Sequence, residues 1–179
     1  MNILKNFAAF FVLFLVLISS ANAHMKFDNP PFRGDNEDTM PQPPCGGFND
    51  VNSTAITPFP VNEGQATTEF EDGTGILIYS YAPNSNSTFT PVSDNVQISI
   101  PDGTGPKPFT TPIDLSKAGA KVGDQGVLQA YFTDGKNMTW YQCADITVVN
   151  PLKNEASPFA DTSEVTFFVI ALASLIIAF

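Results

Sequence analysis

The chain contains one histidine, His24, in 179 residues. That scarcity narrows the chemistry at once. Zinc sites usually take three or four side-chain ligands, with histidine and cysteine prominent among them. A blue-copper site needs two histidines and a free cysteine. A Ser-His-Asp triad needs a histidine beside its nucleophile, and no G-x-S-x-G nucleophile elbow occurs. Cysteine is almost as rare, with Cys45 and Cys143 alone. Basic residues are few: 8 Lys and Arg face 18 Asp and Glu, a formal charge of −10. Such a surface argues against nucleic acid and anionic membrane surfaces as partners, suits a soluble secreted protein, and concentrates cations weakly. Helical periodicity is missing between residues 24 and 154. The one short candidate, residues 117–121, ends in Gly123.

The two ends are hydrophobic, and both read as processing signals. Lys5, an apolar run over 7–18 and the box Ala21-Asn22-Ala23 predict a signal peptide over residues 1–23. At the other end, residues 166–179 are apolar to the last residue, with no basic flank. A spanning helix needs about 20 residues, so this run is short. A polar spacer over 157–165 precedes it, carrying Asp161 and Glu164, and before that stands Asn154-Glu155-Ala156. A small ω residue, a polar spacer and a short apolar tail form a GPI-anchor signal. Asn154 is the expected attachment site and 155–179 the expected propeptide. A tail anchor or single span is the other reading, disfavoured by the N-terminal signal. The mature protein is therefore expected to be one domain, residues 24–154, on the outer face of the plasma membrane or in the cell wall.

A secreted chain folds in an oxidising compartment. There, an isolated pair of cysteines is best read as one disulfide, Cys45–Cys143. Three N-x-[ST] sequons, at Asn52, Asn86 and Asn137, mark candidate glycan sites on exposed loops.

Between the ends, apolar residues come in short bursts of strand type: 76–81, 96–100, 127–132 and 140–149. Asp134-Gly135 marks a turn after the third, and Pro and Gly punctuate the gaps. This predicts an all-β fold, a small antiparallel sandwich. Residues 28–48, rich in Pro, Gly and acids, read instead as an extended, ordered loop pinned by Cys45. No repeat and no internal domain boundary is visible. In the last burst, Tyr141, Cys143 and Asp145 share one face, and Trp140, Gln142, Ala144 and Ile146 the other. Asp145 thus lies on the side of the bridged cysteine, either paired with a cation such as Arg33 or ligating a metal. Arg33-Gly34-Asp35 spells an adhesion tripeptide, but Arg33 is better read as anchoring the loop through a carboxylate.

Cleavage after Ala23 leaves His24 as the new N-terminus. Its α-amino group and ring nitrogen form a chelate that favours copper; the plain alternative is that any residue can follow a cleavage site.

Taken together, His24-Met-Lys-Phe-Asp-Asn-Pro-Pro-Phe-Arg33-Gly34, Glu37-Asp38, Pro44-Cys45-Gly-Gly-Phe48 and Tyr141-Gln-Cys143-Ala-Asp145-Ile resemble the fungal family of secreted copper-acquisition proteins related to lytic polysaccharide monooxygenases (LPMO-like). The resemblance runs from His24 to about Val149. It implies an immunoglobulin-like, LPMO-like β-sandwich at the cell surface that binds copper without cleaving polysaccharide. It carries the metal site onto His24 and Asp145 and the bridge onto Cys45 and Cys143. The family's second histidine is absent: where it is expected, at or just after 76–81, the chain has Tyr79, Ser80, Tyr81 and Ala82. A full three-nitrogen brace is therefore impossible, which weakens the copper expectation. Met25 could offer Cu(I) a soft sulfur, though methionines more often serve as packing residues. The expectation is a non-enzymatic, monomeric, GPI-anchored copper binder or buffer, with a copper transporter or cell-wall glycan as further partner. The alternative is a metal-free structural or glycan-contacting wall protein on the same scaffold.

Overall fold

The computed structural model describes residues 25–136 and 138–151. The expected leader, His24, the Asn137 sequon, Asn154 and the tail lie outside the described residues. The described part is an all-β sandwich of two sheets. Its strands are β1 (Met25–Asn29), β2 (Thr57–Pro60), β3 (Gly64–Phe70), β4 (Gly73–Ala82), β5 (Thr90–Pro91), β6 (Val96–Ile100), β7 (Lys107–Ile113), β8 (Gln125–Thr133) and β9 (Thr139–Val149). One sheet runs β1-β3-β7. The other runs β2-β9-β8-β4-β5, with β6 also paired to β4.

All pairings are antiparallel except β2 with β9, which is parallel. The expected purely antiparallel sandwich is thus corrected at one edge. The four anticipated bursts are β4, β6, β8 and β9. The strands without such bursts are β1, β2, β3, β5 and β7. β2 and β7 each hold two prolines, Pro58 with Pro60 and Pro108 with Pro112, which proline chemistry permits only on edge strands. β3 alternates Gly64, Ala66, Thr68 and Phe70 inward, too little apolar bulk to show as a burst. Asp28, expected in the loop, belongs to β1. The short helical candidate is displaced upstream, to a 3-10 turn at Leu115–Ala118 ended by Gly119 in the left-handed conformation.

The two-residue side-chain period puts one face of each strand between the sheets. Phe27, Ala66, Phe70 and Ile113 from the smaller sheet meet Leu77, Tyr79, Leu128, Phe132, Ala144 and Ile146 from the larger. Phe70 packs against Phe132 with ring centroids 4.9 Å apart, and Phe27 against Tyr79 at 5.5 Å. The hydroxyls of Thr68 and Tyr79, 2.7 Å apart, form a buried hydrogen bond between the layers. The β8–β9 hairpin closes at the anticipated turn, where the Asp134 carboxylate accepts from the amides of Lys136 and Met138.

Candidate functional site

Strand β9 organises the chemistry because its two faces do different work. Trp140, Ala144, Ile146 and Val148 enter the core between the sheets. Cys143 points to the opposite face, where Cys45, Val127 and Cys143 form a separate buried cluster with Phe89 against it. The disulfide, Cys45–Cys143 with 5.1 Å between Cα atoms, therefore fastens a loop to the outside of the larger sheet. It does not cross the main core.

That loop, residues 30–56, takes over the edge of β9 where β2 stops. The Arg33 amide donates to the Cys143 carbonyl at 2.8 Å, and the Tyr141 amide to the Met40 carbonyl at 3.0 Å. Gln129 Nε2, on β8, donates to the Pro44 carbonyl at 2.7 Å. Gly46, beside the disulfide, has φ +62°, and a Cβ there would stand 2.4 Å from the Tyr141 carbonyl oxygen. Only glycine meets both demands without strain.

Under this loop lies the ion pair of Arg33 and Asp145. Nη2 meets Oδ1 at 2.6 Å and Nε meets Oδ2 at 2.9 Å. Oδ2 also accepts from the Asn52 amide at 2.8 Å. Nη1 of Arg33 reaches the Asn49 carbonyl at 2.8 Å and Ser85 Oγ at 2.7 Å. The side chains are 2% and 5% exposed. Both Asp145 oxygens are thus engaged by donors of the loop. Arg33, in turn, is not presented for adhesion.

A second polar region opens at the start of β1. The Phe27 amide donates to Gln142 Oε1 at 2.6 Å, and Gln142 Nε2 donates to Asp35 Oδ1 at 3.2 Å. This links β1, β9 and the loop through one buried amide. Next to it is a cavity of about 180 Å³ lined by Met25, Met40 and the carboxylates Asp35, Glu37, Glu69 and Glu71. Lys26 contributes the cation. Asp145 lines a different cavity, with Val51, Ile56 and Pro83.

The stretch where a second histidine was expected offers no open donor. Tyr79, Ser80, Tyr81 and Ala82 are buried within β4. Burial pushes the Tyr79 phenol far above its usual range, against the opposing effect of its bond to Thr68. The Tyr81 phenol is raised by burial and then by the Asp124 charge. Among the described residues no three His, Cys, Asp or Glu side chains converge as a metal site. Of the sequons, Asn86 is exposed and Asn52 half-buried, its Oδ1 accepting from Thr54 Oγ1 at 2.7 Å.

Sequence reasoning did not single out Met40, and it named Asp35 only in the adhesion tripeptide and Gln142 only by its face of the last strand. For Gln142 a signal existed: a polar residue at an inward position of an otherwise apolar strand. Met40 had none, because it reaches the cavity from an irregular loop.

No individual curated protein matches the chain. A family model described as "Copper acquisition factor BIM1-like" matches residues 22–164, a span that holds the disulfide, the Arg33–Asp145 pair and the cavity beside Met25. The chain therefore belongs to the BIM1-like copper acquisition factor family.

Proposed function

We propose that this chain is a GPI-anchored, extracellular, non-enzymatic copper binder, and that it holds Cu(II) through the α-amine and imidazole of His24. The family match carries the copper reading. A nitrogen chelate on a single terminal residue suits Cu(II), which heads the divalent affinity order. Supporting it, Met25, joined to His24 by one peptide bond, lines a cavity with four carboxylates. Their charge raises the local cation concentration. Asp145 is the buried partner of Arg33 and holds the loop; its expected second part, as a copper ligand, is read from whether Asp145→Ala weakens Cu(II) binding. The prolines on β2 and β7 block strand pairing at those edges, in keeping with a monomer.

The test is a Cu(II) titration of untagged protein whose first residue is His24, followed by paramagnetic resonance. The expected result is saturable binding with one coordinated imidazole, weakening as pH falls because protons compete for both nitrogens. Acetylating the terminal amine is expected to abolish it. If no saturable binding is found at micromolar concentrations near neutral pH, the metal reading fails and a metal-free wall protein on this scaffold replaces it. Intact-mass analysis after deglycosylation and phospholipase release is expected to find His24 first and Asn154 last; retention of 160–179 would exclude the anchor.

A further inference from the structure

We propose that the outer face of the larger sheet, beside the disulfide-held loop, binds a neutral polysaccharide chain, with Tyr131 and Tyr141 as its stacking groups. The inference goes beyond the copper reading and does not depend on it: no atom of the His24 chelate takes part.

Strand parity and register define the face. Cys143 points outward from β9, so Tyr141 and Thr139 point the same way. Residues directly opposite each other on paired strands share a face. Tyr141 thus lies beside Tyr131 on β8, and Tyr131 beside Ile78 on β4. A second row runs through Thr139, Thr133, Ile76 and Gln97. The two tyrosine rings have centroids 5.5 Å apart and are tilted by 59°. Burial changes abruptly along this face. Gln129 and Cys143 are buried, the first donating to Pro44 and the second bridged to Cys45. One row further, Tyr131, Tyr141 and Ile78 are only half-buried, and beyond them Gln97 and Ser99 are exposed. The covering loop therefore ends as a ridge beside the tyrosine row, and the sheet past it is open.

The side chains select the occupant. The chain carries 18 acidic and 8 basic residues. The strands of this sheet nevertheless hold a single charged side chain, Asp145, and it is buried against Arg33. A polyanion meets no cation in these strands and is repelled by the net charge of −10. A polycation meets no free carboxylate in them. The face offers phenols, the hydroxyls of Thr133, Thr139 and Ser99, and the Gln97 amide. These groups both donate and accept hydrogen bonds, and they surround apolar surface from two rings and two isoleucines. A neutral pyranose chain is built to the same plan. Its C–H faces pack on aromatic rings, and its hydroxyls donate and accept around them. A protein partner is matched less well. Protein interfaces centre on large anchors in well-packed pockets. The exposed large apolar side chains among the described residues are Val51, Val122 and Met138, and none belongs to these two rows.

The probes are laminarin, cellohexaose and chitohexaose as neutral glycans, with polygalacturonate as the anionic control. Secreted mature protein carrying ring-labelled tyrosine is titrated with each. At least one neutral glycan is expected to shift the Tyr131 and Tyr141 signals together and saturably, and polygalacturonate to leave them in place. Tyr79 and Tyr81, both buried, are internal controls and are expected to stay still. Tyr131→Ala and Tyr141→Ala are each expected to weaken the binding by about tenfold. Acetylating the terminal amine is expected to leave it unchanged, so failure of the copper chelate and failure of this face are read separately. The proposal is overturned if no neutral glycan moves the two tyrosines, or if polygalacturonate moves them equally. It is also overturned if the signals follow protein concentration and sedimentation finds a dimer, which would make the face a self-interface. A shift seen only on enzymatic removal of the N-glycans would assign the face to the protein's own glycan and overturn it as well. The shifts are read on unsubstituted protein, so a variant that fails to fold does not protect the proposal.

Discussion

Arg33 and Asp145 stand 112 residues apart in the chain and meet through two parallel contacts, at 2.6 and 2.9 Å, beneath the loop that crosses β9. A two-point guanidinium–carboxylate contact fixes orientation as well as distance. Together with the disulfide, it determines how the covering loop sits on the larger sheet. Removing one partner leaves the other charge buried and unpaired. Arg33→Ala or Asp145→Ala is therefore expected to cost about 3–5 kcal/mol. Chemical denaturation of each variant and of the double variant checks this. A double-mutant coupling near zero would mean that the pair contributes no interaction of its own.

The bridge Cys45–Cys143 closes a separation of 98 residues. In the chain-entropy account, a loop of about 100 residues is worth roughly 4–5 kcal/mol. Cys143→Ser is expected to lower stability by an amount of that order and to reduce secretion. Thiol labelling of unreduced, denatured protein should find no free cysteine; stoichiometric labelling would contradict the bridge.

Tyr79 predicts the alkaline limit of the fold. Burial raises its folded-state pKa well above the unfolded value of about 10. Below pH 10 the phenol is neutral in both states, so its contribution is complete there. Above pH 10 the unfolded chain loses the proton while the folded one keeps it, and stability falls as pH rises. Tyr81 and Tyr141 shift in the same direction, each chiefly by burial. Denaturation midpoints are expected to drop steeply above pH 10. Tyr79→Phe combined with Thr68→Val is expected to flatten that slope at little cost near neutrality, because both hydrogen-bonding partners leave together. An unchanged slope in the double variant would assign it to other groups.

Thr111 Oγ1 is buried without a hydrogen-bond partner among the described residues. Thr111→Val replaces that hydroxyl by a methyl of similar shape and is expected to raise stability by about 1 kcal/mol. A loss of stability would indicate that a bound water satisfies the hydroxyl.

Gly46→Ala is expected to destabilise by more than about 1 kcal/mol, since the backbone is left-handed there and the Tyr141 carbonyl fills the space. Thermal unfolding measures it, and a neutral effect would mean that the loop relaxes away from β9.

The sequence by itself determined the all-β class, the four apolar strands, the cysteine pairing and the two faces of β9. These depend on local period and on counts: a two-residue alternation needs no knowledge of neighbours, and two cysteines in an oxidising compartment allow one intramolecular pairing. The family was equally legible, because its motifs are short and contiguous. The tertiary structure decided what depends on distant partners. Edge strands β2 and β7 were hidden because proline is tolerated only where one side of a strand is free, and that freedom is a property of the sheet. Asp145 was read in sequence as pairing with a cation or ligating a metal, and only the fold brings Arg33 across the loop to pair with it. Met25 and Met40 read as unrelated until folding brought them to one cavity. Proximity between residues of different elements is set by sheet register and loop path, and neither is encoded in the spacing of the residues along the chain.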